Sequence, residues 1–273
     1  MKKGFYTVVC LMIVALLAGC QEKKRESGTQ DTESDSTTIA EETDTVVPRA
    51  ADELFNDFIY LFAANKKVQL KRIDFPLTYT VNGKTKKIAK KEWKTDHLFM
   101  EEGFYTLIVD NEQQIEAVND TLVDSAKIER IDLTGKKIKQ LCFNRKKDGL
   151  WKLTCIHETG FGNNPNGSFL DFYTKFAVDD KFQSAHLEKE VEFTGPDPDD
   201  DFNSMTGYFT PETWEAFEPE MPAGVIYNMV FSTPDSMSNK KILVISGIAN
   251  GLERRMTFNR KGGVWRLAKL NQW

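Results

Sequence analysis

The amino-acid sequence predicts an α+β protein of two tandem units, each with N-terminal helices packed on a curved antiparallel sheet. Three observations predict it: an internal repeat at a fixed offset, an aromatic helical stripe opening each copy, and a series of strand-length segments closing it. The chain has 273 residues, 40% of them hydrophobic and 11% aromatic, which is material for one or two folded domains. With 36 Lys+Arg against 41 Asp+Glu it lacks the basic excess of a nucleic-acid binder.

The N-terminus carries an address. Lys2 and Lys3 precede an apolar run from Phe5 to Ala18, whose 14 residues suit a signal-peptide core and are too few to span a bilayer. The run ends Leu17-Ala18-Gly19-Cys20, which resembles the bacterial lipobox. That resemblance implies removal of residues 1–19, lipid attachment at Cys20 and a membrane partner held through that anchor. Gln21 stands where an aspartate would resemble an inner-membrane retention signal, so the expected location is the cell envelope, at the outer membrane. Residues 20–50 read as the lipidated cysteine and a disordered tether. From 21 to 50 there are four Lys/Arg, eight Asp/Glu and no aromatic residue, too little apolar surface to offset the entropy of ordering.

The body is a duplication. Phe55-Asn56-Asp57-Phe58 through Ala64 matches Phe169-Leu170-Asp171-Phe172 through Val178, identical at five of ten positions with an offset of 114. The same offset relates Trp151 to Trp265 near the two ends, within Phe143-Asn144-Arg145-Lys146 and Phe258-Asn259-Arg260-Lys261 hairpins. Lys91-Glu92-Trp93 sits like Glu212-Thr213-Trp214. These anchors give units of 51–160 and 165–273.

Each unit reads helix first. Phe55, Phe58, Ile59 and Phe62 fall at i, i+3, i+4 and i+7, as do Phe169, Phe172, Tyr173 and Phe176. Asp52 and Ser168 are the expected caps. Short helices follow at 66–71 and 179–187, then a hairpin turning at Asn82-Gly83. A third short helix carries Trp93, and its counterpart opens at Thr210-Pro211. Strands are expected at 104–109, 126–133, 137–146 and 150–157, and again at 224–232, 240–248, 253–261 and 264–270. Residues 51–157 carry 19 Lys/Arg against 16 Asp/Glu while 158–273 carry 11 against 17, opposite signs that would help the units dock.

This order, closed by Gly149-Leu150-Trp151-Lys152-Leu153 and Gly263-Val264-Trp265-Arg266-Leu267, resembles the nuclear transport factor 2-like fold. Residues 51–273 resemble an uncharacterised Bacteroidetes lipoprotein family built from two such units. Relatives of that fold are enzymes or binding modules, so the resemblance implies a cone-shaped pocket without fixing its use. The expected role is non-catalytic binding of a small molecule, peptide or envelope protein. The alternatives are an isomerase, dehydratase or hydrolase with one active cone, and a structural scaffold whose cones are filled.

His97, His157 and Glu158 are the candidate polar residues of such a pocket. No histidine recurs in both units, so each reads as structural or exposed, and no catalytic residue, metal ligand or cofactor is assigned. Asp57 and Asp171 fall off the apolar stripe and are expected in solvent. Asp197, Asp199 and Asp201 have calcium-loop spacing but lack its glycine and closing glutamate, so a solvated loop is expected. Cys142 and Cys155 occupy two arms of one hairpin. A Lys147-Asp148-Gly149 loop puts Leu141, Phe143, Trp151, Leu153 and Cys155 on one face and Cys142 on the other, whereas a two-residue turn would set the cysteines opposite each other. The apolar pattern favours the first register and free thiols.

Overall fold

Twelve strands form one sheet in the order β2-β1-β6-β5-β4-β9-β3-β10-β11-β12-β7-β8. A computed structural model of the protein describes residues 49–273 other than Pro198. The signal segment, Cys20 and all but the end of the tether lie outside the described residues. No described helix is long and apolar enough to cross a membrane.

The first half contributes β1 (Ile73–Val81), β2 (Lys84–Ile88), β3 (Phe104–Val109), β4 (Ser125–Asp132), β5 (Lys137–Arg145) and β6 (Trp151–Gly160). The second contributes β7 (Leu187–Asp197), β8 (Asp200–Phe209), β9 (Val225–Val230), β10 (Lys240–Gly247), β11 (Glu253–Lys261) and β12 (Val264–Gln272). The helices are α1 (Phe55–Ala64), α2 (Lys66–Lys71), α3 (Gly167–Phe176) and α4 (Asp180–Ala185). Asn82 and Gly83, at φ 47° and 77°, make the left-handed turn that joins β1 to β2.

The halves share their sheet by exchanging a strand. β3 leaves the first half to pair with β10, and β9 leaves the second to pair with β4. The two exchanged strands meet in the centre, parallel, through Thr106 and Asn228. β1–β6 and β7–β12 are also parallel, so the expected pair of antiparallel sheets is in fact one mixed sheet. The reason lies in β3 and β9 themselves. Tyr105 to Ile108 and Ile226 to Met229 are buried throughout, and a strand apolar on both faces is stable only at the centre of a covered sheet.

The two cores lie on opposite faces of that sheet. Tyr105, Leu107, Tyr227, Met229, Ile242 and Val244 join α1, while Ile108, Ile226, Leu243 and Ile245 join α3. Each helix lays three phenylalanine rings on a fourth from the sheet. Phe143 meets Phe55, Phe58 and Phe62 at 5.5, 5.9 and 5.2 Å. Phe258 meets Phe169, Phe172 and Phe176 at 5.3, 5.6 and 5.2 Å.

Four expectations are corrected. Asp52 does not cap α1; its carboxylate takes a bidentate pair from Arg72 at 2.7 and 2.8 Å and the Trp151 amide at 3.0 Å. Ser168 lies inside α3 and accepts from the Trp265 indole at 3.3 Å. The acidic stretch is no loop: Asp197 and Asp200 pair at the tip of the β7–β8 hairpin, where strand residues carry charge because that hairpin is the sheet's edge. Finally, the β5–β6 register starts as the three-residue loop requires, with Phe143 opposite Leu153, then shifts by one at Thr154 so that Cys142 faces Cys155. Thr154 is a bulge, and both thiols are free as expected. The third short helices form as 3-10 turns at Lys90–Glu92 and Pro211–Ala216.

Two outcomes are expected. Residues 51–160 and 165–273 produced separately should aggregate or remain unfolded, and regain native circular dichroism only on mixing; a stable monomer from either piece would show the exchange to be dispensable. Phe143→Ala and Phe258→Ala should each cost about 3–5 kcal/mol in urea unfolding, in a single transition that both halves share.

Candidate functional site

The loops that rim each half are hung on a buried glutamine. Gln69 donates to the Phe62 and Asp96 carbonyls at 2.9 and 2.8 Å and accepts from the Trp93 indole and Asp96 amide at 2.9 and 3.1 Å. Gln183 takes the Trp214 indole in the same way, at 2.6 Å. This latch aims the Asp96 carboxylate at Lys139, 2.9 Å away. It also leaves His97 exposed, with Nδ1 3.1 Å from the Ala63 carbonyl.

The three candidate polar residues do not converge. Glu158 shares the α1 face with Ile156 and accepts the Tyr79 hydroxyl. Burial first, and then Glu158's hydrogen bond and charge, push the Tyr79 phenol up to about 12. His157, one residue back on the strand, points to the opposite face, where Nε2 lies 3.3 Å from Cys155 Sγ. His186 sits at the end of α4, stacked on Phe182 at 3.8 Å with Nδ1 on the Phe182 carbonyl. Asp57 is exposed and Asp171 pairs with Lys136 in solvent, as expected. Among the described residues, one group of His, Cys and carboxylate side chains brings its donor atoms together as a metal would need: Cys142, Cys155 and His157.

A pocket of about 270 Å³ opens where the exchanged strand β3 enters the second half. Phe104, Met221, Pro222, Ile245 and Leu252 make its apolar wall, and Glu102, Glu220 and Arg254 its charged groups. The 220–222 segment is fixed from below by the Tyr173 hydroxyl, which donates to the Pro222 carbonyl at 3.0 Å. Arg254 donates from one terminal nitrogen to the Glu220 carbonyl at 2.9 Å, while its Nε is buried without a partner. Glu102 Oε2 is likewise buried and unpartnered. Burial raises the Glu102 carboxyl, helped by the charges of Glu101 and Asp96 and opposed by a backbone hydrogen bond and Arg130. Burial lowers Arg254, against the charge of Glu220. Glu102 and Arg254 thus stand beside an apolar wall, each with one buried polar atom that no described residue pairs. Glu102 and Arg254 belong to different halves, so no sequence motif joins them.

A larger groove of about 720 Å³ between α4 and the 211–216 turn is open and lined by Asp180, Glu212, Glu215 and Glu218 against Lys181. At the matching positions the first half carries Lys66, Lys67, Lys91 and Lys94, all exposed. The charge asymmetry of the sequence is therefore concentrated on these equivalent surfaces.

The Glu102 environment sets a pH dependence. A carboxyl raised by folding adds stability while it is protonated, and that contribution is lost as pH climbs from the ordinary value through the raised one. Glu102→Gln should therefore raise the melting temperature at pH 7, and the gain should vanish near pH ~3, below the ordinary carboxyl value, where the native carboxyl is protonated in both states. Equal gains at both pH values would show that charge at Glu102 is not what burial opposes.

Comparison with known proteins agrees with this architecture. The family model described as a domain of unknown function, DUF4348, matches residues 33–272. An NTF2-like protein from Bacteroides fragilis NCTC 9343, known from its crystal structure, is 36% identical, with the match covering 81% of this chain and 96% of that one at a TM-score of 0.75. No curated protein matches the chain. The chain belongs to the DUF4348 family, and its α+β fold is NTF2-like.

Proposed function

We propose that this protein is a lipid-anchored component of the bacterial cell envelope, held at the outer membrane through Cys20, that binds a small molecule without transforming it. The pocket at Glu102 and Arg254 carries the reading. It pairs apolar walls with a carboxyl and a guanidinium, and no histidine lines it to complete the His–carboxylate pair of a dehydratase. The ligand class that fits has an apolar body, a hydrogen-bond donor for Glu102 and an acceptor, neutral or anionic, for Arg254. The two cores are filled by their own phenylalanines, which favours a scaffold role for the cone interiors and leaves binding to the seam.

A fragment screen by ligand-observed NMR tests this. Hits of that class should lose about 10–100-fold in affinity in Arg254→Met, the value of a hydrogen bond to a charged group. Phe104→Trp should block them outright. Hits indifferent to both variants would place binding elsewhere. For the anchor, Cys20→Ala should abolish metabolic palmitate labelling; labelling at wild-type intensity would remove the lipobox reading.

A further inference from the structure

We propose that Cys142, Cys155 and His157 form a zinc site on the face of the first half's sheet opposite α1, with three protein donors and a fourth coordination position open. Their ligand atoms all lie within 4.8 Å of one another, and Cys155 Sγ is 3.3 Å from His157 Nε2. A tetrahedral zinc with bonds of about 2.3 Å to sulfur and 2.0–2.1 Å to nitrogen sets its donors roughly 3.5–3.8 Å apart. The triad is thus near coordination spacing, and closing on an ion needs rotamer changes rather than backbone movement.

The strands supply this geometry. Cys142 and Cys155 are direct cross-strand partners only because the Thr154 bulge shifts the register; without it their side chains would take opposite faces. His157 is two residues beyond Cys155 and so shares its face. The second half keeps the bulge, with the register shifting between Phe258 and Thr257, but Thr257 and Lys269 occupy the cysteine positions and Asn271 the histidine position. The bulge therefore belongs to the fold, and the donor set belongs to the first half alone.

All three side chains are partly exposed, so an ion can reach them. Two charged residues flank the set on β4: Lys127, opposite Cys142, and Glu129, opposite Gln140. Burial pushes the Cys142 thiol up, with Cys155 adding to the shift and Lys127 opposing it. Binding exchanges protons for metal: two S–H bonds break, two zinc–thiolate bonds form with neutral His157, and two protons leave to solvent. Soft thiolates beside an imidazole select zinc over hard cations such as calcium or magnesium. A Cys155–His157 nucleophile is the lesser reading. β5 and β6 are paired on both edges, which leaves little room for a substrate to approach a nucleophile there.

The test uses the full chain with Cys10→Ser and Cys20→Ser, prepared under reductant and then exchanged into reductant-free buffer. Cobalt(II) should bind one equivalent with a thiolate-to-metal charge-transfer band and tetrahedral d–d bands, all bleached by zinc. Cys142→Ser, Cys155→Ser and His157→Ala should each weaken zinc binding by about 100-fold or more, since even residues that only orient ligands are worth about 10–100-fold. His97→Ala should leave affinity unchanged, and circular dichroism of each variant checks its fold. Absence of the charge-transfer band, unchanged affinity in either serine variant, or a Cys142–Cys155 disulfide that forms despite stoichiometric zinc would overturn the site.

Discussion

The pairing of β3 with β9 is the constraint on which the rest of the structure depends. Main-chain pairing between them is confined to Thr106 and Asn228, so side chains complete the ladder. Asn228 Oδ1 accepts the Ile108 amide at 2.8 Å, and Thr106 Oγ1 donates to the Tyr227 carbonyl at 3.1 Å. The Asn228 amide then donates to Glu129 at 2.9 Å. Glu129, 3% exposed, also receives Asn164 at 2.9 Å and Gln140 at 2.7 Å. A carboxylate in that position is tolerable because three amides hold it; removing one would leave a buried charge short of a partner. The same seam carries a buried ion pair between the halves, Lys241 with Asp110 at 2.6 Å. Polar groups thus fix the strand order, and the apolar residues of β3 and β9 then have a core on either side.

Around that seam the duplication is unevenly kept. What recurs is packing: three phenylalanines over one, a glutamine holding a tryptophan, a bulge after the closing hairpin. What diverges is charge. Where the first half has the buried Asp52–Arg72 pair, the offset of 114 puts Asn166 and His186 in the second. Asn166 is buried with both side-chain polar atoms unpartnered, while His186 turns to Phe182. A buried ion pair that lost one member would leave an uncompensated charge, and neither member is present in the second half.

Much of this was legible in the residues. Periodicity located α1 and α3, turn chemistry located the β1–β2 hairpin, and strand-length segments located β3 to β6 and β9 to β12. The loop length before Trp151 even gave the correct register near the turn. The Thr154 bulge escaped because it costs no apolar residue its face: Phe143, Trp151 and Leu153 are satisfied before the shift, and Ile156 after it. The β7–β8 hairpin escaped because an edge strand is charged and resembles a loop. The strand exchange had a signal, the unbroken apolar runs of β3 and β9, but such runs report burial on two faces and not which neighbours provide it. Glu102 and Arg254 had none, since only the exchange brings them together.

That exchange explains why polar groups of a repeated sequence are not repeated around each pocket. In two independent cones each pocket would be lined by its own repeat, and every polar group would appear twice. Here Phe104 of the borrowed strand and Glu102 just before it enter the second half's pocket, while the first half receives Tyr227 and Met229 in return. The two environments are unlike from the outset: the Tyr227 phenol is pushed up to about 12, by burial and then by Asp96 and Glu102 of the other half. A substitution at the seam therefore alters one pocket without a matching change in its twin. Retained packing and divergent polar groups are what that freedom produces.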